Sequence, residues 1–182
     1  MKKSLATLSL ATLMSLGAVE FVIDKAHSSV DFKTKHLLVS NVSGSFESFS
    51  GKIDLDVASK TLKAFEGEIV IGSVNTKNDG RDNHLKSQDF FDALAYPKGY
   101  FKMQRQEGDK LYGTLTLRGI SKPVVFDVSV SDMVKNPKSK KDVVALEIEG
   151  DIKRKDFGIG SSVPDAVVSD KIKISINLEL NK

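Results

Sequence analysis

Charged side chains that could bind a polar group cluster in one stretch without strand alternation, residues 74–101. Arg81, Asp82 and His84 lie almost next to one another there. Arginine offers five N–H donors, and histidine can donate or accept a hydrogen bond. This pattern favours recognition of a polar or anionic group, and His36 is a further candidate. The alternative is a structural role, in which Arg81 pairs with a nearby carboxylate and holds a short helix in place.

Patterns typical of catalysis or metal binding are weak in this sequence. The three histidines, His27, His36 and His84, show no His-x-x-x-His pair, and the chain has no cysteine. There is also no Gly-x-Ser-x-Gly nucleophile elbow. We therefore predict no catalytic residue and no metal ligand. A hydrolase that uses His36 or His84 with an aspartate stays an alternative, and His27 is expected to form structural hydrogen bonds.

The first 18 residues have the composition of a secretion signal. Two lysines precede an apolar run from Leu5 to Leu16, and the small residues Gly17 and Ala18 follow. The run is too short to favour a membrane span, which needs roughly 20 apolar residues. We expect cleavage after Gly17 or Ala18, which would leave one domain of residues 19–182 in the periplasm or outside the cell.

Charge and cysteine content narrow the class further. The chain has 27 basic and 24 acidic residues, and loss of the two signal lysines would leave 25 basic residues. A nearly neutral protein gives no reason to expect a nucleic-acid partner. Because there is no cysteine, the hydrophobic core must hold the domain together without disulfides.

Most of the chain alternates apolar and polar residues, which is typical of half-buried strands. We predict an all-β fold, an antiparallel β-barrel of about eight strands in preference to a sandwich, because a closed sheet leaves no free edge. A short helix or lid, capped by Asn78 or Asp79, is expected in residues 74–101. The alternating runs are 30–35, 42–48, 53–57, 62–71, 101–105, 111–117, 124–130, 144–152 and 172–180.

Glycines lie on the apolar faces of several predicted strands, at Gly44, Gly67, Gly113 and Gly150. Glycine in a strand permits a sharp bend or leaves room beside a ligand. An eight-stranded barrel can enclose one small ligand, but a barrel filled by its own side chains also uses small residues. Both interpretations stay open from the sequence.

Four sequence blocks follow one another along nearly the whole mature chain: Asp24-Lys-Ala-His27-Ser28-Ser-Val30-Asp-Phe32; Gly44-Ser-Phe46; Arg81-Asp82-Asn-His84-Leu85-Lys-Ser87-Gln-Asp89-Phe90-Phe91-Asp92; and Gly113-Thr-Leu115-Thr116-Leu-Arg-Gly119-Ile-Ser-Lys122-Pro123-Val124, with Asp156-Phe157-Gly158 downstream. Together they resemble the YceI-like family, bacterial periplasmic proteins that bind lipids or polyisoprenoids. The resemblance implies a lipocalin-like barrel that holds a long isoprenoid or fatty chain, commonly as a homodimer.

The hydrophobic effect would hold such a chain, at about 0.8 kcal/mol for each buried methylene or roughly 15 kcal/mol gross for twenty carbons. A hydrogen bond to the head-group adds only about 1 kcal/mol. We therefore expect the tail to set affinity and the head-group to set orientation. The candidate tail contacts are the inward apolar residues Phe32, Leu38, Phe46, Phe49, Ile69, Leu85, Phe90, Phe101, Leu115, Phe126 and Ile174.

The sequence thus predicts a protein that sequesters, stores or transports a long-chain amphiphile, with no catalysis and no cofactor. The head-group candidates are Arg81, Asp82, His84 and His36. The alternatives are a lipid-modifying hydrolase and an interaction module for a membrane partner. The basic stretch from Lys135 to Lys141 is interpreted as a solvated loop, or as a patch that contacts anionic membranes transiently.

Overall fold

The computed structural model describes residues 21–182, so the predicted signal sequence lies outside the described residues. These residues form eleven strands, one α-helix, α1 (Asp79–Lys86), and two short 3-10 helices, Ile71–Ser73 and Arg154–Phe157. The strands are β1 (Val22–His36), β2 (Ser40–Phe46), β3 (Phe49–Asp56), β4 (Thr61–Val70), β5 (Val74–Asn75), β6 (Lys98–Glu107), β7 (Lys110–Leu117), β8 (Ile120–Val130), β9 (Val134–Lys135), β10 (Asp142–Lys153) and β11 (Lys171–Asn181).

All strands join one antiparallel sheet in the order β3-β4-β6-β7-β8-β10-β11-β1-β2-β5, with β9 paired to β10. The sheet curls on itself, since a Cβ atom built on Gly51 of β3 would lie 3.3 Å from the Ile23 side chain of β1. The prediction of an all-β, lipocalin-like antiparallel barrel with a short helix is confirmed.

The number of strands was underestimated, because eleven are present instead of about eight. Strands β5 and β9 have two residues each, which is too short for any alternation to show in the sequence. Strand β1 also begins earlier than its pattern indicates. Its register shifts between Asp24 and Ser29, and this irregularity interrupts the alternation.

The two ends of the barrel differ in how their strands are connected. One end, which we call the lid end, carries the β1–β2 and β7–β8 hairpins and two longer segments. The lid segment is residues 76–97, between β5 and β6, and the 154–170 connection joins β10 to β11. Tight turns and the 131–141 loop lie at the opposite end.

Helix α1 begins as the sequence predicts. The Asn78 side chain accepts a hydrogen bond of 2.9 Å from the backbone N–H of Arg81, which satisfies a free donor of the first turn. The helix ends at Lys86 and buries few apolar side chains. Within residues 21–182, no helix has the length and apolar content needed to cross a bilayer.

Phenylalanine rings cover three of the glycines on the inner face. Added Cβ atoms would lie 2.5 Å from the Phe32 ring at Gly44, and 2.3 Å from the Phe101 and Phe126 rings at Gly113 and Gly150, respectively. A ring can come this close to a strand only where no side chain projects from the strand. These three glycines therefore make room for phenylalanine rings of the barrel wall. Of the two interpretations that the sequence left open, the structure favours room for the protein's own side chains over room for a ligand at these positions.

Replacement of Gly113 by alanine should destabilise the fold. The new methyl group would meet the Phe101 ring at 2.3 Å and the Lys102 carbonyl oxygen at 2.8 Å, and the backbone oxygen cannot swing away. We expect the free energy of unfolding to fall by about 1–3 kcal/mol, measured by urea denaturation.

Gly72→Ala is the matched control, because no heavy atom lies within 4 Å of the added Cβ. Its effect should stay within about 0.5 kcal/mol. Equal losses in the two variants would show that contact with the ring is not the cause.

Candidate functional site

A cavity inside the barrel reaches from the lid segment, where Leu85 and Phe90 line it, to Ile23 near the other end of β1. Its volume is about 160 Å³, close to that of an apolar cavity of about 150 Å³ that holds one benzene molecule. The cavity therefore has room for about six carbon atoms. A chain of twenty carbons would extend beyond it or require the lid end to open.

The structure places all but one of the predicted tail-contact residues in the cavity wall. Leu38 is the exception. It lies in the β1–β2 turn with a φ of 61° and is 62% exposed, so its side chain does not line the cavity. The predicted residues that do line it are Phe32, Phe46, Phe49, Ile69, Leu85, Phe90, Phe101, Leu115, Phe126 and Ile174.

Aromatic rings form two groups in this wall. Near the lid, the Phe46 ring lies 5.6 Å from Phe32 and 5.8 Å from Phe91, between ring centroids. Deeper in the barrel, the Phe101 ring lies 5.5 Å from Phe65 and 5.8 Å from Phe126. These tilted and edge-on ring pairs stabilise each other beyond their buried area.

The lid segment closes the cavity with Leu85, Phe90 and Phe91. The Asp89 carbonyl accepts a hydrogen bond of 3.0 Å from the backbone N–H of Gly160 in the 154–170 connection. A Cβ on Gly160 would lie 2.8 Å from the Phe90 ring. The lid segment and the connection are therefore fitted to each other over the end of the cavity.

Arg81 and Asp82 both bind Thr76 and do not line the cavity. Thr76 donates to Asp82 Oδ1 from its backbone N–H at 2.8 Å and from its hydroxyl at 2.5 Å. Arg81 donates from Nε to Thr76 Oγ1 at 2.7 Å and from Nη2 to the Thr76 carbonyl at 2.8 Å. Thr76 and Asp82 are buried. This network fixes α1 to the segment that precedes it.

The two histidines predicted near a head-group also lie outside the cavity wall. The His84 ring contacts the Phe90 ring edge-on, 4.9 Å between centroids. His36 ends β1 and pairs with Val168 through the backbone, and its side chain is exposed. Three of the four head-group candidates thus lie in the lid segment itself and His36 lies beside the 154–170 connection, and none of them lines the cavity.

Arg154 is a cavity-lining residue that the sequence analysis missed. Its side chain is 2% exposed and donates to five backbone carbonyls of the 154–170 connection. Its one acidic partner is Asp165, whose Oδ1 lies 3.2 Å from Nη2. The carbonyls that accept from Arg154 belong to Ile159, Gly160, Val163, Val168 and Ser169.

The signal for Arg154 was present in the alternation of β10. Residues Ile148, Gly150 and Ile152 face inward, and Arg154 is the next inward position. The neighbouring lysines make it look like part of an exposed basic run. Thr34 is a second polar residue at this end of the cavity, and its hydroxyl lies 3.4 Å from each of the Ser169 and Lys171 carbonyl oxygens.

His27 forms hydrogen bonds at the opposite end of β1, as predicted. Its Nδ1 lies 3.2 Å from Asp24 Oδ2 and 3.9 Å from Glu179 Oε1. The hydrogen bond to Asp24, aided by the charge of Glu179, raises the pKa of His27. The same hydrogen bond, helped by the Ala26 N–H, lowers the pKa of Asp24.

The basic stretch from Lys135 to Lys141 lies at the end of the barrel opposite the lid, before β10. Lys135 Nζ lies 2.7 Å from Asp142 Oδ1. The Asn136 side chain accepts hydrogen bonds from the backbone N–H groups of Lys138 and Ser139. This geometry favours the interpretation as an exposed, locally ordered loop.

The YceI-like domain family matches residues 21–180. A UPF0312 protein of Staphylococcus aureus strain bovine RF122 is 42% identical over 140 residues, which cover 76% of this chain and 81% of that protein. The corresponding protein of strain N315 is 41% identical with the same coverage. The chain belongs to the YceI-like family, as its sequence blocks predicted.

Solved structures agree with the family and the fold. The YceI protein of Campylobacter jejuni is 41% identical, with a TM-score of 0.75 over 90% of this chain and 98% of that chain. BcnA of Burkholderia cenocepacia shares the fold at 23% identity, with a TM-score of 0.76 over 87% and 99% of the two chains. A polyisoprenoid-binding domain of Saccharophagus degradans shares it at 16% identity, with a TM-score of 0.68 over 88% and 97%.

Replacement of Arg154 by methionine should loosen the 154–170 connection. The variant keeps much of the apolar volume but leaves several carbonyl oxygens without their donor. We expect a loss of unfolding free energy of at least about 2 kcal/mol and faster amide hydrogen exchange in residues 158–170.

Lys155→Met is the adjacent control, since it removes an exposed ion pair with Asp165. Its effect on stability should be below about 1 kcal/mol. If exchange in residues 158–170 rose equally in both variants, Arg154 would not be the residue that fixes this connection.

The Asp24–His27 pair should leave a signature in pH titration. Asp24→Asn should lower the pKa of His27, measured by NMR of the imidazole protons, whereas Asp79→Asn should leave it unchanged. Stability from the raised pKa of His27 is present below about pH 6.5 and is lost as pH rises through the folded-state value. Stability from the lowered pKa of Asp24 is present above about pH 4 and is lost on acidification. The Asp24–His27 pair therefore stabilises the fold most between about pH 4 and about pH 6.5. An unchanged pKa of His27 in the Asp24→Asn variant would contradict the pairing.

Proposed function

We propose that this protein is a carrier that holds a long-chain amphiphile, of the polyisoprenoid or fatty-acid type, inside its barrel and performs no reaction on it. The observation that carries the proposal is the cavity inside the barrel, whose wall consists mainly of phenylalanine, leucine and isoleucine side chains. An apolar wall of this kind attracts apolar chains and offers few groups that could act on them. The polyisoprenoid-binding domain of Saccharophagus degradans supports the proposal only through its shared fold.

The cavity as it stands holds only part of a long chain. At about 0.8 kcal/mol per methylene, about six buried carbons would supply roughly 5 kcal/mol of gross driving force. The cost of immobilising the chain offsets part of this. Longer chains would leave their remainder at the lid end, where the barrel is closed by side chains of loops and not by a continuous sheet.

The polar part of the ligand would lie at the lid end, near Thr34 and Arg154. Elsewhere the wall is apolar, so a polar group buried deeper would lose its hydrogen bonds to water without replacement. Arg154 brings a positive charge to this end of the cavity, but Asp165 pairs with it at 3.2 Å and backbone carbonyls accept from its N–H groups. A neutral head-group is therefore favoured there over a cationic one. Arg81, Asp82 and His84 would act indirectly, by holding the lid.

The location and assembly of the carrier rest on the sequence. The composition of residues 1–18 supports export to the periplasm or beyond. A homodimer is what the family resemblance implies, and sedimentation of the secreted protein would test it. The hydrolase alternative gains no support from residues 21–182, where the carboxylates within 4 Å of a histidine side chain belong to Asp24 and Glu179 beside His27.

Mass spectrometry of the secreted protein tests the proposal directly. Under native conditions we expect an added mass that is lost on denaturation and recovered in an organic extract. A protein that leaves its host without such a mass, and takes up no fatty acid or isoprenoid afterwards, would rule out the carrier.

A tryptophan in place of Leu115 should reduce the space available to the ligand. Leu115 lines the cavity from β7, and the larger side chain would project into it. We expect affinity for a fluorescent fatty acid to fall at least about tenfold, measured by titration. Thr114→Trp, at the neighbouring outward position, is the control and should bind as the parent does. Unchanged affinity in Leu115→Trp would place the ligand elsewhere.

A further inference from the structure

Exposed apolar side chains concentrate at the lid end of the barrel. Leu37, Leu38 and Val39 at the tip of the β1–β2 hairpin are 54%, 62% and 82% exposed, and Leu94 in the lid segment is 99% exposed. All four loops of this end contribute. We call the set the apolar rim, and its members are Leu37, Leu38, Val39, Leu94, Tyr96, Ile120 and Val167.

The hairpin tip places leucines where the backbone disfavours them. Leu37 and Leu38 have φ values of 50° and 61°, and the Val39 N–H donates to the His36 carbonyl at 3.2 Å. A turn with positive φ at both central residues is best formed by Asn-Gly, and leucine is strained in this region. Since these two leucines are also exposed to water, neither local folding nor the core explains them.

The residues of the apolar rim belong to, or contact, the segments that close the cavity. The Leu37 N–H donates to the Val167 carbonyl at 2.9 Å, and the next residue, Val168, lines the cavity. A Cβ on Gly119, in the β7–β8 turn, would lie 2.8 Å from the Tyr96 ring of the lid segment. Whatever covers the rim therefore lies against the lid and the connection together.

We propose that the apolar rim docks this end of the barrel on a lipid bilayer, with Leu37, Leu38 and Val39 inserted among the acyl chains. The proposal rests on the carrier function above, because a ligand with an apolar chain is dissolved in membranes and not in water. Docking at the lid end places the cavity next to that source. The basic loop of residues 135–141 lies at the other end of the molecule and would face away from the membrane.

Charged residues of both signs lie at the lid end, and this mixture predicts which membranes the rim should bind. Basic and acidic residues alternate there, for example Lys155 with Asp165 at 2.7 Å and Lys98 with Glu68 at 2.8 Å. Because no single sign dominates, apolar insertion should supply the affinity. Binding should therefore occur on neutral phosphatidylcholine vesicles and depend little on salt.

The test compares three proteins in vesicle flotation: the parent, the double variant Leu37→Asn with Leu38→Gly, and the control Met133→Ser with Val134→Ser at the opposite end. The double variant places Asn-Gly at the two positions of positive φ, which is the pair that this turn favours. Its free energy of unfolding should therefore not fall. We expect the parent and the control to float with phosphatidylcholine vesicles, and the double variant to bind at least about tenfold more weakly.

The outcomes separate the docking proposal from the carrier proposal. Native mass spectrometry of the same samples reports ligand content independently of vesicle binding. A loaded parent that does not float, or a double variant that floats as well as the parent, overturns docking and leaves the carrier intact. A shift from dimer to monomer in the double variant, without vesicle binding by the parent, would assign the rim to a second copy and overturn the proposal. A parent protein that floats with vesicles but neither carries nor takes up a ligand would overturn the proposed carrier function. It would also overturn the proposal that docking brings the cavity to its ligand.

Discussion

The closed end of this barrel depends on one buried cation. Arg154 extends from the end of β10 and donates to backbone carbonyls from Ile159 to Ser169. A guanidinium removed from water is costly unless its N–H groups find partners, so the connection must wrap around it. That wrapping then presents Gly160 to the lid segment and Val167 to the β1–β2 hairpin. Lid, hairpin and cavity roof are thus arranged around a single side chain.

The fold could be predicted because strand alternation is a local property of the sequence. Each long strand alternates apolar and polar residues, and an inward position stays inward along the strand. This is why nearly all the predicted tail residues lie in the cavity wall. Leu38 was misplaced because it lies in a turn, where alternation no longer assigns a side and an apolar residue can point to water.

The polar residues were harder to predict, since their roles depend on partners distant in the fold. Arg81 and Asp82 look available in the sequence, but both bind Thr76. Arg154 looks like a solvated residue between two lysines, yet it is buried. Whether a charged side chain can be buried depends on the hydrogen-bond acceptors around it. The acceptors of Arg154 are backbone carbonyls of an irregular connection, and no sequence pattern predicts where such carbonyls lie.

The pairing of phenylalanine rings with glycines has a consequence for how the interior can adapt. Where phenylalanine rings lie beside glycines, the shape of the inner wall depends on the side-chain torsions of those rings. These torsions can change without breaking a hydrogen bond of the sheet. If the Phe101 or Phe126 ring rotates away from its glycine, it would narrow the interior, and its return would widen it. The volume of the interior can therefore change through the torsions of these two side chains while the strands keep their register.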